Sequence, residues 1–279
     1  MKVAIFTANS LRHRAFASMA INSSQLDVVG IFYEDTPTLK EVIQNDSGTA
    51  LQRQHLSARD QAEVDFFGLY IDCQHSQYDI SMSVPRGWFS TAECMDELLM
   101  RKAELILVYG TSIIKGPIIH RYKNHILNLH LGLSPYYRGS GTNYFPFVNR
   151  EPEYCGATYM YLDSGIDTGE IIHQIRPLIL SVDSFHQLSN RFLIRAFQAY
   201  IIIAANHACL ELPSSLSQSY DHNRTRLLYK DKDFTPESVK MLYSNFNSGM
   251  LEEYLENFQA RVSKVPLVQQ KFLQVEGNK

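Results

Sequence analysis

The opening of the chain restricts its fold more than any other stretch. Val3-Ala4-Ile5-Phe6-Thr7 is an apolar run of strand length, Asn9-Ser10 interrupts it, and residues 12–21 have the pattern of an amphipathic helix. A second apolar run follows at residues 28–32. Strand, helix and strand in so short a span form the βαβ unit of a parallel sheet, because parallel neighbours need a crossover that covers the sheet face. The turn after the first strand, Thr7-Ala8-Asn9-Ser10-Leu11, contains no glycine. A dinucleotide pyrophosphate approaches the backbone only where glycines leave room, so the unit carries no NAD fingerprint.

The same alternation continues. Residues 105–109, 126–130, 157–162 and 170–176 read as strands; helices are expected at 58–67, at 93–101 behind a Thr91 cap, and at 184–206. Residues 34–60 are polar and ambiguous, and 71–87 read as irregular. Past Cys209 the pattern changes. Residues 213–232 are polar and charged, and Pro236 behind Thr235 starts a helix. Apolar positions then recur at Val239, Leu242, Tyr243, Leu251 and Leu255, around a break at Gly249. The expected architecture is α/β: a Rossmann-like domain with a mixed, mostly parallel sheet over residues 1–208, and a small, mainly helical extension over 209–279.

Composition removes several function classes. With 45% hydrophobic and 20% charged residues, the 279-residue chain is not a disordered one. Lys plus Arg is 26 against 29 for Asp plus Glu, so the net charge of −3 gives no overall field to gather nucleic acid. Cys73, Cys94, Cys155 and Cys209 are too few and too scattered for a disulfide scaffold or a cysteine zinc site, and are expected as buried thiols. His120, His125 and His173 lack metal-ligand spacing, so no metal is expected. The N-terminus has no leader pattern, and apolar runs such as residues 200–205 are too short to cross a bilayer. A cytoplasmic protein with no membrane partner is the expectation.

Chemistry concentrates after the strand at 126–130. Residues two apart on a strand share a face, so Asn128 and His130 project together at its carboxyl end, before a loop punctuated by Gly132, Pro135, Gly139 and Gly141. Ligands of open α/β sheets bind at that end. An imidazole can exchange a proton with an attacking group and an amide can donate to a developing oxyanion, which is what acyl transfer to an amine requires. A satisfied histidine and a turn asparagine are the bland alternatives. Asp167, in the glycine-flanked turn 163–169, can orient His130 or relay a proton; its alternative is an Asx turn, the reading preferred for Asp163.

Asn128-x-His130, then Ser134-Pro135-Tyr136-Tyr137-Arg138-Gly139, then Asp163-x-Gly165-x-Asp167-Thr168-Gly169 strongly resembles the 10-formyltetrahydrofolate-dependent formyltransferases. That family includes glycinamide ribonucleotide, methionyl-tRNA and sugar N-formyltransferases, and the chain is most like the last group. The likeness is dense over residues 100–180 and loose before them. It implies a formyltransferase domain in which Asn128, His130 and Asp167 are the catalytic residues. It also implies a folate site at Tyr109, Gly110, Thr111, Ser112 and Ile113, completed by Leu162, Asp163 and Asp167. Where many members follow the histidine with Pro-Ser-Leu-Leu-Pro, this chain has Leu131-Gly132-Leu133-Ser134-Pro135.

The acceptor implied by the resemblance is a primary amine, with a nucleotide-linked amino sugar preferred. Methionyl-tRNA enzymes carry a basic C-terminal barrel and deformylases an N-terminal regulatory domain, and neither pattern is read here. Ser10, Arg12, His13 and Arg14 could hold a phosphate or diphosphate at the first helix N-terminus, or simply belong to a capped, solvated helix start. Tyr136 and Arg138 are assigned to acceptor contact; Tyr136, Tyr137, Tyr144, Phe145 and Phe147 offer either a stacking surface or a lid over the core. The alternatives are another amine (methionyl-tRNA or a small metabolite) and a catalytically silent folate- or nucleotide-binding protein. A homodimer through the helical tail is a further expectation.

Overall fold

The computed structural model describes residues 1–37, 49–72, 80–211 and 227–273. Its centre is a seven-stranded sheet built from β1 (Lys2–Ala8), β2 (Asp27–Glu34), β3 (Ser81–Val84), β4 (Leu105–Tyr109), β5 (Ile126–His130), β7 (Ala157–Tyr161) and β8 (Ile171–Ile175), in the order β3-β2-β1-β4-β5-β7-β8. The pairings from β3 through β5 are parallel, and β7 and β8 join antiparallel. The mixed, mostly parallel sheet is therefore as expected.

Both faces are covered. On one lie α1 (Leu11–Ile21), α2 (Ala50–Asp72) and α6 (Phe185–Ala205), which bury Val3, Ile5, Leu105, Leu107, Leu127 and Leu129 with Phe16, Phe67 and Phe197. On the other lie α3 (Ala92–Met100) and α4 (Pro117–Arg121), over Ala4, Phe6, Ile106, Val108 and Ile126. The apolar runs were continuous because strands of a doubly covered sheet bury both alternations. A third cluster forms where the loop after β5 meets the C-terminal helices. It unites Tyr137, Phe145, Phe147 and Tyr154 with Val239, Leu242, Met250 and Tyr254. These last come from α7 (Pro236–Asn247) and α8 (Met250–Glu256), with α9 (Phe258–Val262) following; α5 (Phe145–Val148) is the short helix they cover.

Several expectations need correction. The helix expected at 58–67 runs over Ala50–Asp72, so the end of the polar stretch is helical, with Gln52 and His55 buried. The segment expected to be irregular holds β3, whose Ser-Met-Ser-Val sequence suits an edge strand and hides its periodicity. A two-stranded parallel sheet of β6 (Tyr137–Gly139) and β9 (Leu227–Tyr229) was not foreseen. Cys94 and Cys155 are buried as expected, but Cys209 is exposed, and Cys73 lies outside the described residues.

Candidate active site at the carboxyl edge of the sheet

The strand order reverses direction between β1 and β4, and β5 is the next strand along. A side chain from α6 bonds to β4 and β5 near their carboxyl ends. The Tyr200 hydroxyl donates to Leu127 O at 2.6 Å and accepts from Val108 N at 3.0 Å, taking the place of ladder bonds just before Asn128. Leu127 and Leu129 belong to the core beneath α1 and α6, so Asn128 and His130 project to the opposite face.

His130 is 6% exposed and held from two sides. Its Nε2 lies 2.8 Å from Tyr137 O, and its Nδ1 lies 3.3 Å from Asp167 Oδ1. A carbonyl only accepts, so Nε2 carries a proton; Nδ1, facing a carboxylate, is complementary when it is protonated too. Asp167 Oδ2 accepts from Gly139 N at 2.9 Å, tying the carboxylate to β6. Asp167 has φ of 50°, a left-handed conformation that costs a non-glycine residue about 1–3 kcal/mol and persists only where surroundings enforce it. The Asn128 amide, half-buried, finds no hydrogen-bond partner among the described residues. The pair and the unspent amide sit together at the carboxyl end of β5.

Residues 1–203 match the family model for formyl transferases. The chain belongs to that family. It is 35% identical over 68 residues to methionyl-tRNA formyltransferase of Finegoldia magna, covering 24% of this chain and 21% of that one. It is 33% identical over 92 residues to GDP-perosamine N-formyltransferase of Brucella melitensis, covering 33% and 35%. The matches thus span well under half the length of these curated relatives. Among solved structures, a sugar N-formyltransferase from a Shewanella species superposes with a TM-score of 0.53 at 15% identity, over 88% of this chain and 87% of that one. At that identity the likeness is one of fold.

Glu34, fully buried at the end of β2, accepts from Ser112 N at 2.6 Å, Ser112 Oγ at 2.5 Å and Gly87 N at 2.8 Å. A dinucleotide fold uses an acid at that place for a ribose; here the carboxylate is consumed in fixing the 110–113 loop. Thr111 is half-buried and Ile113 is 56% exposed, so the loop presents itself to solvent. Tyr109 does not: its ring is 3% exposed and packs on His13, Phe16 and Phe197, leaving only its backbone at the loop. Leu162 packs half-buried on the core beneath α3 and α4. Asp163 closes its own turn, accepting from Gly165 N at 3.0 Å and Thr168 Oγ1 at 2.8 Å.

The aromatic cluster resolves into core. Tyr137 and Phe147 are fully buried, Phe145 is 4% and Tyr144 8% exposed, and Tyr136 packs edge-on against Tyr154 at 5.0 Å. Arg138 lies on β6 beside Leu228. Ser10 does not cap α1 through its side chain, because its Oγ is 2.6 Å from His13 Nδ1. Arg12 points inward to Glu63, 3.6 Å away. Arg59 and Glu63 were missed by sequence reasoning, although their i,i+4 pairing was a readable signal. Burial, then the guanidiniums of Arg12 and Arg59, holds His13 well below the usual histidine range. For Glu63, burial pushes the carboxyl up, but Arg12 and Arg59 outweigh it and the net direction is down.

A concavity of about 640 Å³ lined by Ser18, Asn22, Tyr70, Gln198 and Ile201 lies at the far end of α1 from Ser10, away from the strand ends that bind ligands. No group of His, Cys, Asp and Glu among the described residues could hold a metal, and no described helix is long and apolar enough to cross a membrane.

Proposed function

We propose that this chain transfers a formyl group from 10-formyltetrahydrofolate to a primary amine, and that the acceptor is a nucleotide-linked amino sugar. The observation that carries the reading is the His130–Asp167 pair at 3.3 Å beside the unpartnered amide of Asn128. The residues present suit a flat folate donor: the 110–113 loop is braced by Glu34, and Ile113 and Ile166, 56% and 41% exposed, leave apolar surface on the two loops that the family resemblance assigns to folate. When bound, that donor supplies a formyl carbon open to attack.

The amine nitrogen adds to that carbon, and the new C–N bond pushes the carbonyl electrons onto oxygen. Asn128 Nδ2 donates to this oxyanion, and the imidazolium of His130 stabilises its charge. Tyr137 O fixes the ring through Nε2, so Nδ1 beside Asp167 is the nitrogen that gains and loses a proton. Asp167 holds that proton near, and through water passes the proton shed by the amine toward the departing folate nitrogen. The C–N bond to folate breaks, leaving a formamide and tetrahydrofolate. We place the reaction in the cytoplasm, with the chain acting alone or as a homodimer.

A second acceptor reading is another amine, methionyl-tRNA or a small metabolite. The segment similar to the Finegoldia methionyl-tRNA enzyme favours it. The experiment is formyl transfer by the wild-type chain to a panel of nucleotide-linked amino sugars and to methionyl-tRNA, read by mass, with His130→Gln as control. Formylated sugar that disappears in the variant supports the main reading; formylation confined to methionyl-tRNA replaces it with the second.

A further inference from the structure

We propose that Glu34 is a positioning residue for the folate: it clamps the 110–113 loop onto the turn at residues 87–90 and so holds the loop in its folate-binding shape. The name of the ligand rests on the formyl-transfer reading above; the clamp itself rests on geometry at the carboxyl ends of β2, β3 and β4.

The carboxylate stands where several strands end. β1 lies between β2 and β4 in the sheet, and its last residue, Ala8, is level with Glu34. Val84, the last residue of β3, is level with Glu34 on the other side. Reaching across the end of β1, Glu34 Oε2 accepts from Ser112 N at 2.6 Å and Oε1 from Ser112 Oγ at 2.5 Å. Oε1 also accepts from Gly87 N at 2.8 Å. These donors are all neutral, and Glu34 is fully buried. A carboxylate so placed has lost its hydration, and accepted hydrogen bonds at fixed positions are what offset that loss. Glutamine, the neutral side chain of the same shape, has one accepting oxygen and a donating amide nitrogen. Whichever way that amide turned, either Ser112 N or Gly87 N would face another donor. The place is built for an acceptor on both oxygens.

The clamp has a second point. Lys115 N donates to Ser90 Oγ at 2.9 Å, tying the far end of the loop to the same turn. Ile114 is 4% exposed and belongs to the core beneath α3 and α4. With Ser112, Ile114 and Lys115 anchored, Ile113 is the apolar side chain left to project, and it is 56% exposed. The turn is itself seated on the sheet: Trp88 stacks on Phe32 of β2 at 5.3 Å, and Phe89 stacks on Phe6 of β1 at 4.3 Å. An apolar side chain held out by an anchored loop is a surface prepared for a flat partner. A loop ordered before binding loses less entropy when the ligand arrives, so the gain appears in affinity. Asn128 and His130 stand on β5, with β1 and β4 between them and β2, so Glu34 acts on the folate through the loop alone.

The test is calorimetric titration of the full chain with tetrahydrofolate, joined to kinetics on the amine that the acceptor panel identifies. Glu34→Gln should weaken tetrahydrofolate binding and raise the KM for the formyl donor by about tenfold or more, with kcat and the acceptor KM close to wild type. A merely structural role would lower the melting temperature without that split. Ser112→Ala loses only the Oγ bond and should show a smaller rise. The double variant should fall short of the product of the two, because both residues belong to one clamp. Trp88, the only tryptophan, reports the turn, and acrylamide should quench it more in Glu34→Gln than in wild type. Melting curves verify that each variant is folded; where Glu34→Gln does not fold, unchanged tetrahydrofolate affinity in folded Ser112→Ala overturns the clamp. Affinity equal to wild type in folded Glu34→Gln overturns it too, as does a fall in kcat with the donor KM unchanged, and both leave the formyl-transfer reading standing. A wild-type chain that binds no tetrahydrofolate overturns that reading and the clamp together.

Discussion

The sheet and the aromatic cluster beneath the C-terminal helices are both buried apolar cores, but they are assembled differently. The sheet core draws on strands and crossovers that follow each other closely, and its neighbours pair in parallel through the first five strands. The second core joins Phe145 and Phe147 to Leu242 and Tyr254, about a hundred residues away, and Tyr229 stacks on Phe145 at 3.7 Å. Asn245 Nδ2 donates to Phe147 O and Val148 O at 2.9 Å, stitching α7 to α5. Between the two lies the loop after His130, anchored to one by Tyr137 O and to the other by the Tyr137 ring. The site thus depends on both cores: the sheet aims Asn128 and His130, and the second core holds the backbone that holds Asp167.

The largest effect that could break this comparison is on stability. Phe147→Ala should cost about 3–5 kcal/mol, because the ring is fully buried, and thermal unfolding should remain a single transition. Two separated transitions would mean that the second core melts on its own and does not support the site. Next come His130→Gln and Asn128→Ala, each expected to lower formyl-transfer turnover by about two to three orders of magnitude with little change in melting temperature. Turnover near wild type in either would remove that residue from the mechanism. Gly139→Ala sharpens the link between the cores. Gly139 has φ of +88°, and a Cβ there would strike Tyr229 O. The substitution should part β6 from β9, cost about 1–3 kcal/mol and disturb the Gly139 N–Asp167 bond, lowering turnover more than melting temperature. A loss of stability with unchanged turnover would show that Asp167 does not need β6.

The two regions also differ in how much the sequence displayed. Strands β1, β2, β4 and β5 were readable because burial on both faces makes each a continuous apolar run bounded by polar turns. Asn128 and His130 were readable because strand period alone puts them on one face, and Asp167 because a glycine-flanked turn frees a carboxylate. The reach of α2 was not, since its buried face includes Gln52, His55 and Glu63, polar residues that lower the amphipathic signal. Nor could the fate of Tyr137 or Phe147 be read. An aromatic residue in a loop looks the same whether it meets a ligand or a helix a hundred residues away, and only tertiary packing decides.

The smallest effect separates the regions by acid. His173, 2% exposed on β8, accepts from Gln270 N at 2.9 Å, and burial lowers it to about 4 from 6.5. His55 and His186, with rings 4.7 Å apart against Phe185 at the seam with the second core, are lowered to about 3 and about 4, by burial first and then by neighbouring cations. In the unfolded chain each imidazole takes a proton near 6.5, while in the fold it stays neutral until far lower pH. Below 6.5 the unfolded chain therefore binds more protons and stability falls as pH falls; above 6.5 these groups add no slope. Each contributes at most about 1.4 kcal/mol per pH unit inside that window. Replacing His173 by Asn, which keeps an acceptor for Gln270 N, should flatten the acid limb between pH 4 and 6.5 by the share of one group. His55→Asn should extend the flattening below pH 4, because its folded value is the lower. A flattened limb in His173→Asn beside an unchanged one in His55→Asn, followed by tryptophan fluorescence and urea unfolding at each pH, would mean that the seam opens to water before its histidines titrate, and that the second core is looser than the sheet it supports.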